Sequence, residues 1–235
     1  MRRRTFLLCG LPWFPRPYDN LAGIRFRVRN HGRSKRHYLW IHGNETTARD
    51  VLETHMKSAR GKAWLTTSPE RNVRLAGLQI DPNRMWSRAG AERNLRQLNP
   101  GSPEAPLLNA LLLLDQKRGR FLNHLLPPAG GILIVLHNNG VGYSVKDEIA
   151  ISDRTHLPKR AEPHEFFLAS APSDYDRLAA GPYNAVLQQS PKGQDDGSLS
   201  RLCARRGIRY VNLEVSLGKA TVQAEMLNWL EGTLA

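Results

Sequence analysis

Short apolar runs alternate along the chain with longer segments that repeat apolar residues at helical spacing. Strands are predicted at 24–28, 37–41, 63–66, 132–136, 165–168 and 208–215, and the segment 75–80 is predicted as either a further strand or an irregular entry. Helices are predicted at 46–60, 92–98, 106–126, 174–189, 198–206 and 220–230, and a long polar loop at 140–163. Because strands alternate with helices, this order predicts an α/β fold, a single domain with a mostly parallel (mixed) sheet and helices on both faces.

Two of these elements lie next to residues that could carry chemistry. The helix at 46–60 is expected to be capped by Thr46 or Thr47 and stopped by Gly61. The run at 132–136 is continuously apolar, which is typical of a strand covered on both faces, and it is expected to end at His137. Polar residues are therefore expected at the edge of the sheet, where this helix begins and where this strand ends.

Polar side chains stand at or near the ends of four predicted strands, and α/β sheets bind ligands beyond the carboxyl ends of their strands. The four residues are His42, Asn83, His137 and Glu214. His42 and Glu45 form an H-x-x-E pair at a strand-to-helix junction, where Gly43 leaves room for a tight bend. Together with a later histidine, this pair supplies three of the nitrogen and oxygen ligands that zinc takes in a catalytic site.

Each motif also has a simpler interpretation. His42 and Glu45 fit a histidine and a capping glutamate that meet by chance, and His137 fits a core histidine bonded to the backbone. Asn83 and Arg84 suit bidentate binding of a carboxylate but also fit a turn with a surface arginine. Glu214 would be unfavourable in a buried strand without a partner, unless its face is an exposed edge.

Composition narrows the class of protein. The 235 residues carry a net charge of +13 and are 40% hydrophobic, which is enough for a core and excludes global disorder. Residues 1–40 hold ten basic residues and one acidic residue, so most of the excess charge is amino-terminal. No apolar stretch reaches the ~18 to 20 residues of a membrane span. Two cysteines are too few for a disulfide framework or a thiolate metal site.

The amino terminus is predicted as a basic leader at 1–20, signal-like or disordered, ahead of a catalytic domain at 21–235. Three arginines followed by Thr5 and Phe6 are typical of an exported precursor. Pro12 and Pro15 interrupt the apolar stretch, and no A-x-A cleavage site follows. Both an exported or periplasmic location and a cytoplasmic location therefore remain open.

Four motifs in this order resemble the zinc carboxypeptidase superfamily, most closely its succinylglutamate desuccinylase and aspartoacylase branch. They are HGNE at 42–45, DPNR at 81–84, LHNN at 136–139 and NLEV at 212–215. The resemblance implies a zinc-carboxypeptidase-like fold, with one zinc ion on His42, Glu45 and His137 and with Glu214 as general base.

The same resemblance implies further substrate contacts. Asn83 and Arg84 would hold a substrate carboxylate, and an arginine upstream of DPNR would polarise the scissile carbonyl. Arg71 and Arg74 both precede that motif, and Arg74 is taken as the candidate for polarising the carbonyl. Tyr143 and Tyr183 are weak candidates for a mobile phenol. Chains of this branch continue into a β-rich domain, whereas 21 residues follow Glu214 in this sequence.

The function implied is a zinc-dependent hydrolase, a metallo-carboxypeptidase or an N-acyl amino acid amidohydrolase or deacylase. It would cleave an amide bond in a small anionic peptide or acyl-amino-acid substrate, with no nucleic-acid partner and no membrane span. Two alternatives come from other classes, a zinc-binding protein without catalysis and a basic protein that binds polyanions. The near-balanced charge beyond residue 40 speaks against the second alternative.

Overall fold

The computed structural model describes residues 18–140 and 142–234, and the twin-arginine segment of the predicted leader lies outside them. Its strands are β1 (Tyr18–Leu21), β2 (Ile24–His31), β3 (Arg36–Trp40), β4 (Gly61–Thr66), β5 (Val73–Leu75), β6 (Leu78–Ile80), β7 (Ile132–Asn139), β8 (Arg154–His156), β9 (Phe166–Ala169), β10 (Asn184–Leu187) and β11 (Tyr210–Ser216). Its helices are α1 (Thr46–His55), α2 (Arg88–Leu98), α3 (Glu104–Leu125), α4 (Val145–Ile149), α5 (Pro172–Leu178), α6 (Leu199–Arg205) and α7 (Ala220–Thr233), with a short 3-10 turn at Pro82–Arg84.

Nine of these strands form one sheet in the order β1-β2-β4-β3-β7-β11-β9-β10-β8, while β5 and β6 form a separate hairpin. The four central strands β4, β3, β7 and β11 run parallel. Strands β9 and β10 run parallel to each other and antiparallel to β11, so the sheet is mixed. Parallel strands at the centre bring the carboxyl ends of β3, β7 and β11 to the same edge of the sheet.

Helices cover both faces of the sheet, as the sequence predicts. Strand β7 shows why, because its apolar run sends alternate side chains to opposite faces. Leu133 and Val135 pack into the core under α2, α3 and α6, while Ile134 and Leu136 pack into the core under α1, α5 and α7. The predicted α/β class, a single mixed sheet between two helical layers, is confirmed.

Several element boundaries differ from the prediction. Helix α1 ends at His55 instead of 60, and neither threonine caps it. Its N-cap is Glu45, whose side chain bonds to histidines instead of the helix, and the Thr47 hydroxyl accepts the backbone N–H of Gly218 at 2.8 Å. Strand β7 does not end at His137 but continues through Asn139, because β11 pairs with it along that whole length.

Three segments have a different structure from the one predicted. The segment 75–80, predicted as a strand or an irregular entry, belongs to a hairpin that turns at Ala76 and Gly77, which both have positive φ. The helix at 174–189 is the helix α5 followed by the strand β10. The loop at 140–163 contains α4 and β8. The edge strand β1 was not predicted, and it begins at Tyr18, inside the segment assigned to the leader.

A half-buried polar cluster connects α7 to the end of β3 that lies opposite the carboxyl edge. Glu231 accepts a hydrogen bond from the Tyr38 hydroxyl and lies 3.3 Å from His55 Nε2 and 3.5 Å from an Arg36 nitrogen. Burial alone would raise the pKa of Glu231, but the contacts with His55 and Tyr38 outweigh it and lower that pKa. The cluster therefore stabilises the fold as long as Glu231 stays ionised.

Among the helices of the described residues, none has both the length and the apolar character needed to cross a lipid bilayer.

Candidate metal site and substrate cavity

His42, Glu45 and His137 lie together, fully buried, at the carboxyl edge of the sheet. His42 follows β3, Glu45 begins α1 and His137 belongs to β7. His42 Nδ1 lies 2.8 Å from Glu45 Oε1 and 3.2 Å from His137 Nδ1, and His137 Nδ1 lies 2.9 Å from Glu45 Oε2. The structure thus brings together the three side chains that the sequence assigns to one metal ion.

The turn from His42 to Glu45 has room only for glycine at its second position. A Cβ on Gly43 would lie 1.9 Å from the backbone oxygen of Ser68. The Gly43 N–H donates to Glu70 O at 3.0 Å, and the Glu45 carbonyl accepts from Trp40 Nε1 at 2.8 Å. These bonds hold the tight turn that points both His42 and Glu45 to the same side.

The donor set of this cluster fits a divalent cation. His42 Nε2 is 2.8 Å from Asp81 Oδ1, so a neutral His42 that donates there has a lone pair on Nδ1, which faces a Glu45 oxygen. Two lone pairs at that separation repel each other unless a proton or a cation lies between them. Zinc bonds of ~2.0–2.2 Å place tetrahedral ligand atoms about 3.3–3.6 Å apart, so separations of 2.8, 3.2 and 2.9 Å need to widen by only a few tenths of an ångström around an ion.

The surrounding charges favour a positive charge at the centre of the cluster. Burial alone would raise the pKa of Glu45, yet attraction to His137 and His42 lowers it. Burial alone would lower the pKa of His42, yet Glu45 and Asp81 raise it. A site that holds its carboxylate ionised and favours the protonated form of His42 is one in which a metal cation can replace that proton.

Asp81 supports the cluster from behind, a role that the sequence analysis did not assign. Besides its contact with His42, its Oδ1 accepts the Asn83 N–H at 2.7 Å and so caps the short 3-10 turn. Arg71 donates to Glu45 Oε1 at 3.1 Å and approaches Asp81 Oδ2 at 3.4 Å. The Asp-Pro start of the DPNR motif is a capping signal, and it was the available clue to this residue.

Glu214 lies on β11 directly opposite His137 on β7. It is buried, and β11 is an internal strand between β7 and β9, so the alternative of an exposed edge is excluded. Asn212 Nδ2 donates to Glu214 Oε1 at 3.0 Å. Burial raises the pKa of Glu214 to about 7, with Glu45 adding to the rise and His137 opposing it. A carboxylate with that pKa can both take and return a proton near neutral pH.

One cavity of about 390 Å³ joins these groups. Its lining includes the three clustered side chains, Glu214, Asn83 and Arg84. Leu199 N–H donates to Asn83 Oδ1 at 3.1 Å, which leaves the Nδ2 donors of Asn83 without a partner among the described residues. Arg84 lies 3.5 Å from Asp196, so it is a cavity residue rather than part of a free surface turn.

The structure separates the two arginines that precede DPNR. Arg71 lines the cavity, whereas Arg74 sits on the exposed hairpin and donates to Gly77 O at 3.3 Å. Arg74 therefore does not reach the cavity, because β5 carries its side chain away from it. Tyr143 lines the cavity, and Tyr183 packs instead against Phe167 and Trp229.

Comparison with known proteins gives similarity to solved structures alone. No family model matches the sequence, and no curated protein matches it. A succinylglutamate desuccinylase/aspartoacylase from Rhodobacter sphaeroides is 17% identical over 89% of this chain and 59% of that one, with a TM-score of 0.45. An ectoine utilization protein from Ruegeria pomeroyi is 13% identical over 90% of this chain and 61% of that one, with a TM-score of 0.46.

A candidate metallopeptidase from Shewanella baltica is 14% identical over 92% of this chain and 85% of that one, with a TM-score of 0.41. The chain thus spans about three fifths of the first two structures and more of the third. The first of these structures bears the name of the branch that the four sequence motifs resemble.

Proposed function

We propose that this chain is a zinc-dependent hydrolase that cleaves an amide bond in a carboxylate-bearing substrate. The activity would be that of a metallo-carboxypeptidase or of an N-acyl amino acid deacylase. One observation carries the proposal: His42, Glu45 and His137 meet in the same cavity as the buried carboxylate of Glu214. A metal-ligand set and a proton-transfer group in one cavity are the parts that metal-assisted hydrolysis needs.

His42, Glu45 and His137 would hold the metal ion, one ligand atom from each. Two imidazoles and one carboxylate are a set that zinc takes in hydrolases, although other divalent ions accept similar ligands. When bound, zinc supplies Lewis acid chemistry, polarising the substrate carbonyl and lowering the pKa of water. Asp81 and Arg71 would keep His42 and Glu45 in the orientation that binding requires.

Glu214 would move the proton. Its carboxylate takes a proton from the water whose oxygen forms the new bond to the carbonyl carbon, and the C–N bond then breaks. Glu214 returns that proton to the departing nitrogen, so the products are a carboxylic acid and an amine. Burial raises its pKa, which favours return of the proton to the departing nitrogen.

Asn83 and Arg84 would bind the substrate carboxylate. The guanidinium of Arg84 supplies charge, and the Nδ2 donors of Asn83 supply hydrogen bonds. We assign the arginine that faces the scissile carbonyl to Arg71 instead of Arg74, because Arg71 lines the cavity. A donor aimed at the developing oxyanion typically contributes about 2.7–4 kcal/mol to catalysis.

The test combines metal analysis with a substrate screen on the full chain. We expect one zinc ion per chain by elemental analysis, and hydrolysis of at least one compound among N-acyl amino acids and short peptides, including cell-wall peptides. Stoichiometric zinc without turnover would favour a zinc-binding protein that is not an enzyme. Absence of zinc together with salt-sensitive DNA binding would favour a polyanion-binding protein.

A further inference from the structure

A second carboxylate, that of Glu148, lines the same cavity as the candidate metal site. Glu148 belongs to the short helix α4, in a polar segment for which the sequence predicts only loop. It is half-buried and has no part in the hydrolysis proposed above. Its position raises the question of what a negative charge contributes to a cavity that must accept a carboxylate.

Neutral groups hold the Glu148 side chain in place. The Tyr143 hydroxyl donates to Oε1 at 2.6 Å, and Gln188 Nε2 donates to Oε2 at 2.5 Å. These donors come from opposite sides, one from the segment before α4 and the other from the residue after β10. A carboxylate oxygen can accept two hydrogen bonds. Each Glu148 oxygen accepts one of the two bonds described above, so each retains a lone pair for a further donor. Glu148 is therefore fixed in position but not saturated.

The charge of Glu148 is not balanced by the protein. Within residues 18–140 and 142–234, no lysine, arginine or histidine forms an ion pair with it, whereas the arginines of the cavity already have partners. Arg71 pairs with Glu45 and Asp81, and Arg84 lies 3.5 Å from Asp196. Arg201, the third arginine of the lining, also lies 3.5 Å from Asp196 and donates to Lys192 O at 2.5 Å. A cavity carboxylate without a paired cation can form a charge-assisted hydrogen bond with a cationic group of a ligand.

Glu148 shares one cavity with the reacting groups, because Glu214 and the three clustered side chains line it too. Tyr143, whose hydroxyl donates to Glu148, is also part of that lining. A substrate group that reaches Glu148 would be held within the same cavity as the bond to be cleaved.

We propose that Glu148 is a specificity-determining residue that binds an ammonium or guanidinium group of the substrate. The proposal rests on the function proposed above and narrows its substrate class to compounds that carry a cation as well as a carboxylate. The carboxylate would bind at Asn83 and Arg84, and the cation would bind at the opposite charge of Glu148.

Product binding to the zinc-loaded full chain tests this preference without turnover. The probes are lysine, ornithine and arginine, compared with norleucine, which has the same α-amino and α-carboxyl groups but no side-chain charge. Calorimetry should show the best cationic probe binding about tenfold more tightly than norleucine, the gain expected of one charge-assisted hydrogen bond. The Glu148→Gln variant keeps an acceptor oxygen for Tyr143, and its amide N–H can pair with Gln188 once the Gln188 amide turns its oxygen towards it. It should lower this ratio to about one.

Glu162→Gln is the matched control, because it removes one negative charge at an exposed position and should keep the wild-type ratio. A wild-type ratio near one for all three cations would overturn the proposal. So would an equal loss of affinity for all four probes in Glu148→Gln, which is the result expected if Glu148 only braces α4. Failure of the hydrolase function would appear separately, as absent turnover in a chain that still prefers the cationic probes.

Discussion

Replacing Asp81 with alanine should weaken zinc binding without removing any ligand. Asp81 Oδ1 lies 2.8 Å from His42 Nε2, in a buried position behind the imidazole. That contact fixes which ring nitrogen carries the proton and so leaves Nδ1 free for the metal. Alanine would allow the imidazole to rotate and to change tautomer.

The size of the effect follows from the bond that is lost. A hydrogen bond to a charged group contributes about 1.5–3 kcal/mol, which corresponds to roughly 10- to 100-fold in the zinc dissociation constant. Asparagine at position 81 could still accept the His42 proton and the Asn83 N–H, but as a neutral acceptor contributing about 0.5–1.5 kcal/mol. We therefore expect Asp81→Asn to lose about tenfold or less.

Competition with a chromogenic chelator at neutral pH measures the zinc dissociation constant of each variant. Asp50→Ala is the matched control, since Asp50 is an exposed aspartate on α1 with no contact to the site. Melting curves of the zinc-free proteins would show whether the variants are folded. If Asp81→Ala binds zinc as tightly as Asp50→Ala, the assigned role of Asp81 is wrong.

Three further predictions test the other parts of the account. Arg84→Ala should raise KM by about tenfold for a substrate with a free carboxylate but not for its carboxamide. Arg74→Ala should leave both KM values unchanged. Steady-state kinetics in which Arg84→Ala affects both substrates equally would contradict the assignment. Gly43→Ala should lower the melting temperature, because its Cβ would lie 1.9 Å from a backbone oxygen. Gly119→Ala, in open space on α3, should instead stabilise the fold by roughly 0.5–1 kcal/mol. A fall in the melting temperature of both variants would contradict this prediction. Folding lowers the pKa of Glu231, so its contribution to stability is present above its unfolded pKa of about 4.3 and is lost as the pH falls through its folded pKa. The difference in unfolding free energy between the wild type and Glu231→Gln should therefore shrink in acid. Urea titrations that show the same difference at every pH would refute this prediction.

The fold was predictable where one type of pattern dominated a segment. The continuous apolar run of β7 and the long apolar face of α3 leave few alternatives. The prediction failed where elements were short, because β10 offers only four apolar-rich residues after Gly181 and Pro182, too few to distinguish a strand from a helix. It also failed at the hairpin of β5 and β6, where Ala76 adopts a positive φ that its residue type does not signal.

The residues of the candidate site were predictable as strand-end polar groups, but their arrangement was not. Convergence of His42 and His137 depends on β3 lying next to β7, which is a property of strand order. The choice between Arg71 and Arg74 depends on the irregular path between β4 and β5. Glu148 gave no signal, because α4 is a single turn and a half in a polar segment without periodicity.

The most direct test of the central claim measures zinc content and hydrolysis in the same preparation of the Glu214→Gln variant. Glutamine keeps the shape of the side chain and can still pair with Asn212, but it cannot accept a proton from water. We expect Glu214→Gln to contain as much zinc as the wild type and to hydrolyse the substrate at least about 100-fold more slowly, the lower range for removal of a general base. Turnover at the wild-type rate with zinc bound would contradict it.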